Sequence, residues 1–182
     1  MKFSWLVVLV VVVGFAVPRT SQAQVSVFGE VTASDLNDGK GADWLYGGTI
    51  GVVADGPTLF KRMILSADIQ TGYVEMSSNG ERLASALVGP RFTFPLKKMK
   101  LNPYGEFLVG FGRYRNVSTS TATVTSLSTT DDLFGIGAGV AKQLNSRLDA
   151  VVEYDYTQYG ANDGEFNPKS FSGGVVFHFI KR

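Results

Sequence analysis

The feature that most narrows the choice of fold is a two-residue alternation that keeps returning from residue 24 to the end of the chain. In KRMILSADIQTGYV, Met63, Leu65, Ala67, Ile69, Thr71 and Tyr73 interleave with Arg62, Ile64, Ser66, Asp68, Gln70 and Gly72. In RLDAVVEYDYTQY, Leu148, Ala150, Val152, Tyr154 and Tyr156 interleave with Arg147, Asp149, Val151, Glu153, Asp155 and Thr157. A period of two belongs to a strand whose faces meet different surroundings; a helix would repeat every 3.6 residues. Each stretch is also long enough to cross a bilayer as a tilted strand, which takes about 9–11 residues. The same pattern predicts eight strands, at 24–34, 43–54, 61–74, 82–94, 101–115, 131–143, 147–159 and 169–179. The expected fold class is all-β, an eight-stranded antiparallel up-and-down transmembrane barrel.

The first 23 residues differ from the rest. Lys2 gives a basic start, FSWLVVLVVVVGFAV an apolar run, and PRTSQAQ a polar region with Ala23 before a cleavage point. That three-part layout predicts a secretory signal peptide over 1–23, and a barrel domain over 24–182. The run is too short for a spanning helix, which needs about 20 residues. Cysteine is absent, which excludes disulfides, thiolate metal sites and a cysteine nucleophile. A formal charge of +1 gives no general affinity for nucleic acid.

The connections alternate in character. DGPTLF, PLKKMK and LNS read as compact turns, whereas DLNDGKGA, EMSSNGE, NVSTSTATVTSLSTT and GANDGEFNP read as longer, polar loops. Long at one end and tight at the other is the layout of an up-and-down transmembrane barrel. Lysines and arginines such as Lys97, Lys98, Lys100 and Arg147 gather at the tight end, and acids such as Asp35, Asp131, Asp132 and Glu165 at the other. Alternation alone also fits a soluble, lipocalin-like carrier with the two faces exchanged. Aromatic side chains, mid-strand charges on the polar face and the C-terminal alternation ending in Phe179 choose the membrane barrel. Trp44, Tyr46, Tyr73, Phe134 and Tyr156 fall near strand ends on the long-loop side, and Phe92, Phe94, Phe177 and Phe179 on the tight side, as interfacial girdles do.

The segment FSGGVVFHF resembles the C-terminal signature of bacterial outer-membrane barrels, with Phe171, Gly173, Val175, Phe177 and Phe179 at the matching positions. The chain departs from that pattern by continuing with Ile180-Lys181-Arg182. GAGVAKQLNSRLDAVVEYDYTQYG is similar to the sixth strand, turn and seventh strand of the small OmpA/OmpX-like barrels. The resemblance implies an outer-membrane protein with both termini in the periplasm. It also implies a last strand read by the insertion machinery, and the barrel alone without a peptidoglycan-binding domain. The expected surroundings are outer-membrane lipids and lipopolysaccharide, with an unidentified extracellular partner for the loops. No nucleic acid, cofactor, metal or catalytic residue is expected, and the protein is not expected to be an enzyme.

With the polar face inward, Glu30, Asp68, Arg91, Glu106 and Glu153 share one depth inside the cylinder and Asp155 lies one pleat higher. A cylinder of eight strands is just filled by side chains. These groups then form one network, with Arg91 as its cation and the surplus carboxyls hydrated or protonated in part. The expectation is polar packing that plugs the lumen; the rival is a narrow porin-like channel for small solutes or ions. GIGAGVAK lacks the third glycine of a dinucleotide fingerprint, and Gly135, Gly137 and Gly139 instead make room on the inner face. His178, the single histidine, is expected to be structural. The Ser/Thr-rich stretch 116–130 is either a mobile loop or a ribbon projecting beyond the membrane, and its Asn116-Val117-Ser118 sequon is taken as accidental.

Overall fold

A computed structural model describes residues 24–35, 44–59, 62–75, 81–120, 123–159 and 167–180, with the main chain only at 116–120 and 123–129. Eight strands follow in order: β1 Val25–Asp35, β2 Trp44–Leu59, β3 Met63–Glu75, β4 Arg82–Thr93, β5 Leu101–Ser120, β6 Thr123–Gln143, β7 Leu148–Tyr159 and β8 Lys169–His178. Each pairs antiparallel with its neighbours in sequence, and β1 pairs with β8, giving a closed barrel. Closure leaves no unpaired edge around the ring. The segment 1–23 lies outside the described residues, as do most residues of the longer connections.

The alternation sorts side chains cleanly. Val31 is 73% exposed on the outer wall, while its neighbours Glu30 and Thr32 are buried in the lumen. The apolar outer wall is continuous around the ring, with Ile50, Ile69, Phe107, Ile136, Val152 and Val175 among its exposed residues. Trp44, Tyr46, Tyr73 and Phe134 lie towards one rim and Phe94, Phe177 and Phe179 towards the other, all on this wall. An apolar outside and a buried, partly charged inside are the reverse of a soluble carrier.

Five strands lie within two residues of their expected bounds; β2, β5 and β6 run further. The segment DGPTLF was expected to be a turn, but β2 continues through it to Leu59. Its pairing slips between Asp55–Ser66 and Thr58–Ile64, a bulge that absorbs Gly56 and Pro57. Pro57 has no N–H to give a ladder, and a bulge is a place where a strand tolerates that. The β5–β6 ladder reaches Ser120–Thr123, whereas β4 stops at Arg82 opposite Arg115 and β7 at Tyr159 opposite Leu133. The two strands therefore leave the ring as a paired ribbon, and most of the Ser/Thr-rich stretch is strand. The tight turn before β5 reverses at Lys100, which has a φ of 54°, after Met99 N donates to Leu96 O at 3.0 Å.

Candidate functional site

The lumen is stratified. Towards the long-connection rim, Leu45, Val74, Leu83, Leu87, Leu108, Leu133 and Tyr159 pack as one apolar layer. Towards the tight-turn rim, Phe28, Val53, Tyr104, Ala141, Val151 and Val176 form a second. The inner face is thus less polar than the alternation of charges suggested, because a narrow interior also has to be filled with side-chain volume.

Between these layers stands Arg91. Its Nε donates to Glu106 Oε2 at 2.7 Å and its Nη2 to Glu153 Oε2 at 3.3 Å. Nη2 also forms an ion pair with Asp68 Oδ2 at 2.6 Å. Asp68 is 0% exposed and Glu106 2%. The guanidinium carbon lies 4.2 Å from the ring centre of Tyr104 and 5.4 Å from that of Phe28. One planar cation is therefore bonded along its edge and lies over two aromatic rings, an arrangement that suits arginine and not lysine. Tyr104 Oη in turn donates to Glu153 Oε2, and Gln70 Nε2 reaches Glu106 Oε1 at 3.5 Å. The network ties β3, β4, β5 and β7 together across the lumen.

Glu30 and Asp155 occupy the same chamber on the rest of the ring. Glu30 is buried beside Gly174, where any Cβ would meet Gly29 O and approach Glu30 Cα to 2.6 Å. Asp155 faces Glu106 across Gly137, whose missing Cβ leaves space for both carboxyls. Gly139 makes similar room for the Tyr104 ring. Glu30 Oε2 and Asp155 Oδ1 have no hydrogen-bond partner among the described residues. One oxygen each from Glu106, Glu153 and Asp155 lie within 4.8 Å of one another. That spacing could admit a cation, but Glu106 and Glu153 already serve Arg91. Cavities of about 60 Å³ and about 40 Å³ lie on either side of the ionic layer.

Period-two reasoning missed one arrangement. Ser26 Oγ lies 2.6 Å from His178 Nδ1, and His178 Nε2 lies 3.0 Å from Asp149 Oδ2. All three are almost wholly buried, and they link β1, β8 and β7 across the seam where the ring closes. A serine nucleophile needs an exposed oxygen and spare N–H donors for an oxyanion. Ser26 instead lies within ladders on both sides. The arrangement ties the seam. Its only hint in the sequence was a histidine on the inward parity of β8. Of the C-terminal residues singled out, Phe171, Val175, Phe177 and Phe179 are exposed on the outer wall, and Gly173 shares their face.

Residues 6–179 match the outer membrane protein beta-barrel domain. No curated protein matches the chain. Among solved structures, Neisserial surface protein A superposes with a TM-score of 0.69 at 16% identity, covering 85% of this chain and 97% of that one. The N-terminal barrel of Pseudomonas aeruginosa OprF gives 0.52 at 23% identity, covering 87% and 100%. Ail, the attachment invasion locus protein of Yersinia pestis, gives 0.58 at 12% identity, covering 86% and 97%. These identities speak for the shared barrel alone. The chain, with its closed eight-stranded ring and apolar outer wall, belongs to the outer membrane protein beta-barrel domain family and to the bacterial outer membrane.

Proposed function

We propose that the protein serves a structural or surface-contact role in the outer membrane, with a sealed lumen and no enzymatic activity. In this reading residues 1–23 are removed on export and the long connections face the exterior. In this reading both termini are periplasmic; supporting it, Gln24 Nε2 donates to Ile180 O at 3.0 Å, so the start of β1 and the end of β8 share the tight-turn rim. The observation that carries the sealed lumen is the Arg91 layer, held on several strands and roofed and floored by packed apolar residues. Ail, named for attachment and invasion, is built on the same scaffold. Contact with a partner falls to the long connections and the β5–β6 ribbon, and the outward Phe171, Gly173, Val175, Phe177 and Phe179 act as the address read during insertion. Single-channel recording in planar bilayers tests the reading. The expected trace is flat, and steady porin-sized steps would overturn it.

A narrow channel is the second reading, favoured by the two cavities flanking the ionic layer. It requires the Arg91 contacts to open. Conductance that appears in Arg91→Leu and not in the unaltered protein would mark that layer as a gate.

A further inference from the structure

The lumen layer is short of positive charge. Among the described residues, the carboxyls of Glu30, Asp68, Glu106, Glu153 and Asp155 share it with one guanidinium, which pairs with Asp68, Glu106 and Glu153. An ionised carboxylate buried without a counter-charge is costly. Glu106 and Glu153 serve Arg91 through Oε2, so each keeps its Oε1. Glu106 Oε1 meets Gln70 Nε2 at the long distance of 3.5 Å.

Gly137 on β6 is opposite Glu106 on one side and Asp155 on the other. A Cβ there would come within 2.2 Å of Asp155 Oδ1 and 3.1 Å of Glu106 Oε1. Glycine therefore keeps open a hollow that both oxygens reach. One oxygen each from Glu106, Glu153 and Asp155 lie within 4.8 Å of one another. Calcium, with oxygen ligands at about 2.3–2.6 Å, can span such a set, whereas magnesium demands a tighter octahedron.

An independent observation comes from β1. Glu30 is 7% exposed, its Oε2 has no partner among the described residues, and its strongest charge neighbour is Glu153. A buried, unanswered oxygen from outside the Arg91 pairs thus faces the same cluster. The cavity of about 60 Å³ is lined by Asp155 together with Thr32, Thr49, Thr157 and Ser172. It is polar at this end and roomy enough to hold water beside the hollow.

We propose that the lumen binds a calcium ion between Glu106, Glu153 and Asp155, with Glu30 adding negative charge and water from the adjoining cavity completing the oxygen shell. The ion joins β5 to β7 across β6, where Gly137 supplies the gap. Arg91 blocks the lumen with or without it, so the ion adds a dependence of barrel stability on the surrounding divalent cation.

The test refolds the barrel in detergent micelles with chelator, then adds calcium, magnesium or sodium chloride in mildly alkaline buffer, where protons compete least. Calcium should raise the thermal unfolding midpoint saturably, magnesium less, and sodium least. Terbium(III), a calcium-sized probe, should luminesce on tyrosine excitation through the neighbouring Tyr104, and calcium should quench that signal by competition. Asp155→Asn keeps the side-chain shape and lies outside the Arg91 ion pairs; it should weaken calcium about tenfold or more. Gly137→Ala, which intrudes on the hollow without removing a charge, should lose the terbium signal as well. Asp132→Asn, exposed at the outer rim, should change neither readout. No calcium shift in the unaltered chain would overturn the site and assign the surplus charge to protons shared among the carboxyls. A shift that survives in Asp155→Asn and Gly137→Ala would overturn it too, placing the cation elsewhere on the chain.

Discussion

Arg91 on β4 and Glu106 on β5 are directly opposite partners in the ladder, and the guanidinium Nε reaches the carboxylate at 2.7 Å. Both side chains point into the lumen, so the ion pair sits at the level where its two strands are bonded to each other. From there the same guanidinium spans to Asp68 on β3 and Glu153 on β7.

Arg91→Leu removes the shared cation and leaves Asp68, Glu106 and Glu153 buried without it. Removing one partner of such a buried group costs about 3–5 kcal/mol. Urea unfolding of the variant in detergent micelles should show a loss of that size. The deficit should shrink as pH falls, because protonating the stranded carboxylates removes the uncompensated charge. A loss that stays constant with pH would mean that packing dominates.

Gly173 and Gly174 are adjacent in sequence and opposite in consequence. A Cβ on Gly174 would collide with Gly29 O and the Glu30 main chain, whereas one on Gly173 would find its nearest neighbour, Val151 O, at 3.9 Å. Gly174→Ala should cost about 1–3 kcal/mol through forced backbone displacement. Gly173→Ala should stay within about 0.5 kcal/mol of the parent. Paired unfolding curves in the same micelle check the contrast.

Depth on the outer wall should be measurable along one strand. Val152, 51% exposed, lies mid-strand on the outer face of β7, and Gln158 lies on the same face near the rim. Val152→Arg should cost about 2–4 kcal/mol in a bilayer and Gln158→Arg about 0–1 kcal/mol. Equal costs in lipid vesicles would contradict the assignment of that face to hydrocarbon.

The seam offers a double-mutant cycle. His178→Leu and Asp149→Leu, singly and together, should report a coupling of about 1–3 kcal/mol for two buried groups 3.0 Å apart. A coupling near zero would show that β7 and β8 are held by the ladder alone.

The barrel was legible in the sequence because parity is a local property. Once Val152 and Tyr154 are assigned to one face, Val151 and Glu153 must take the other, and Val151 is indeed 3% exposed. What stayed hidden depends on the ring as a whole. Ser26 and His178 are 152 residues apart and meet only because the last strand pairs with the first. The lumen position of Leu45, Leu87 and Leu108 was obscured because apolar residues inside a narrow cylinder look, letter by letter, like residues for the outer wall. The Gly56-Pro57 pair reads as a turn until pairing on both sides shows a strand that slips by one residue and continues.

The pairing of β1 with β8 also governs how such a chain can be assembled. The strand made last must find the strand made first, so a partial ring has no resting form in hydrocarbon: either end would present a full row of unanswered amides and carbonyls to oil. Membrane insertion and ring closure should therefore be coupled, and a chain lacking β8 should fail to give a heat-modifiable barrel.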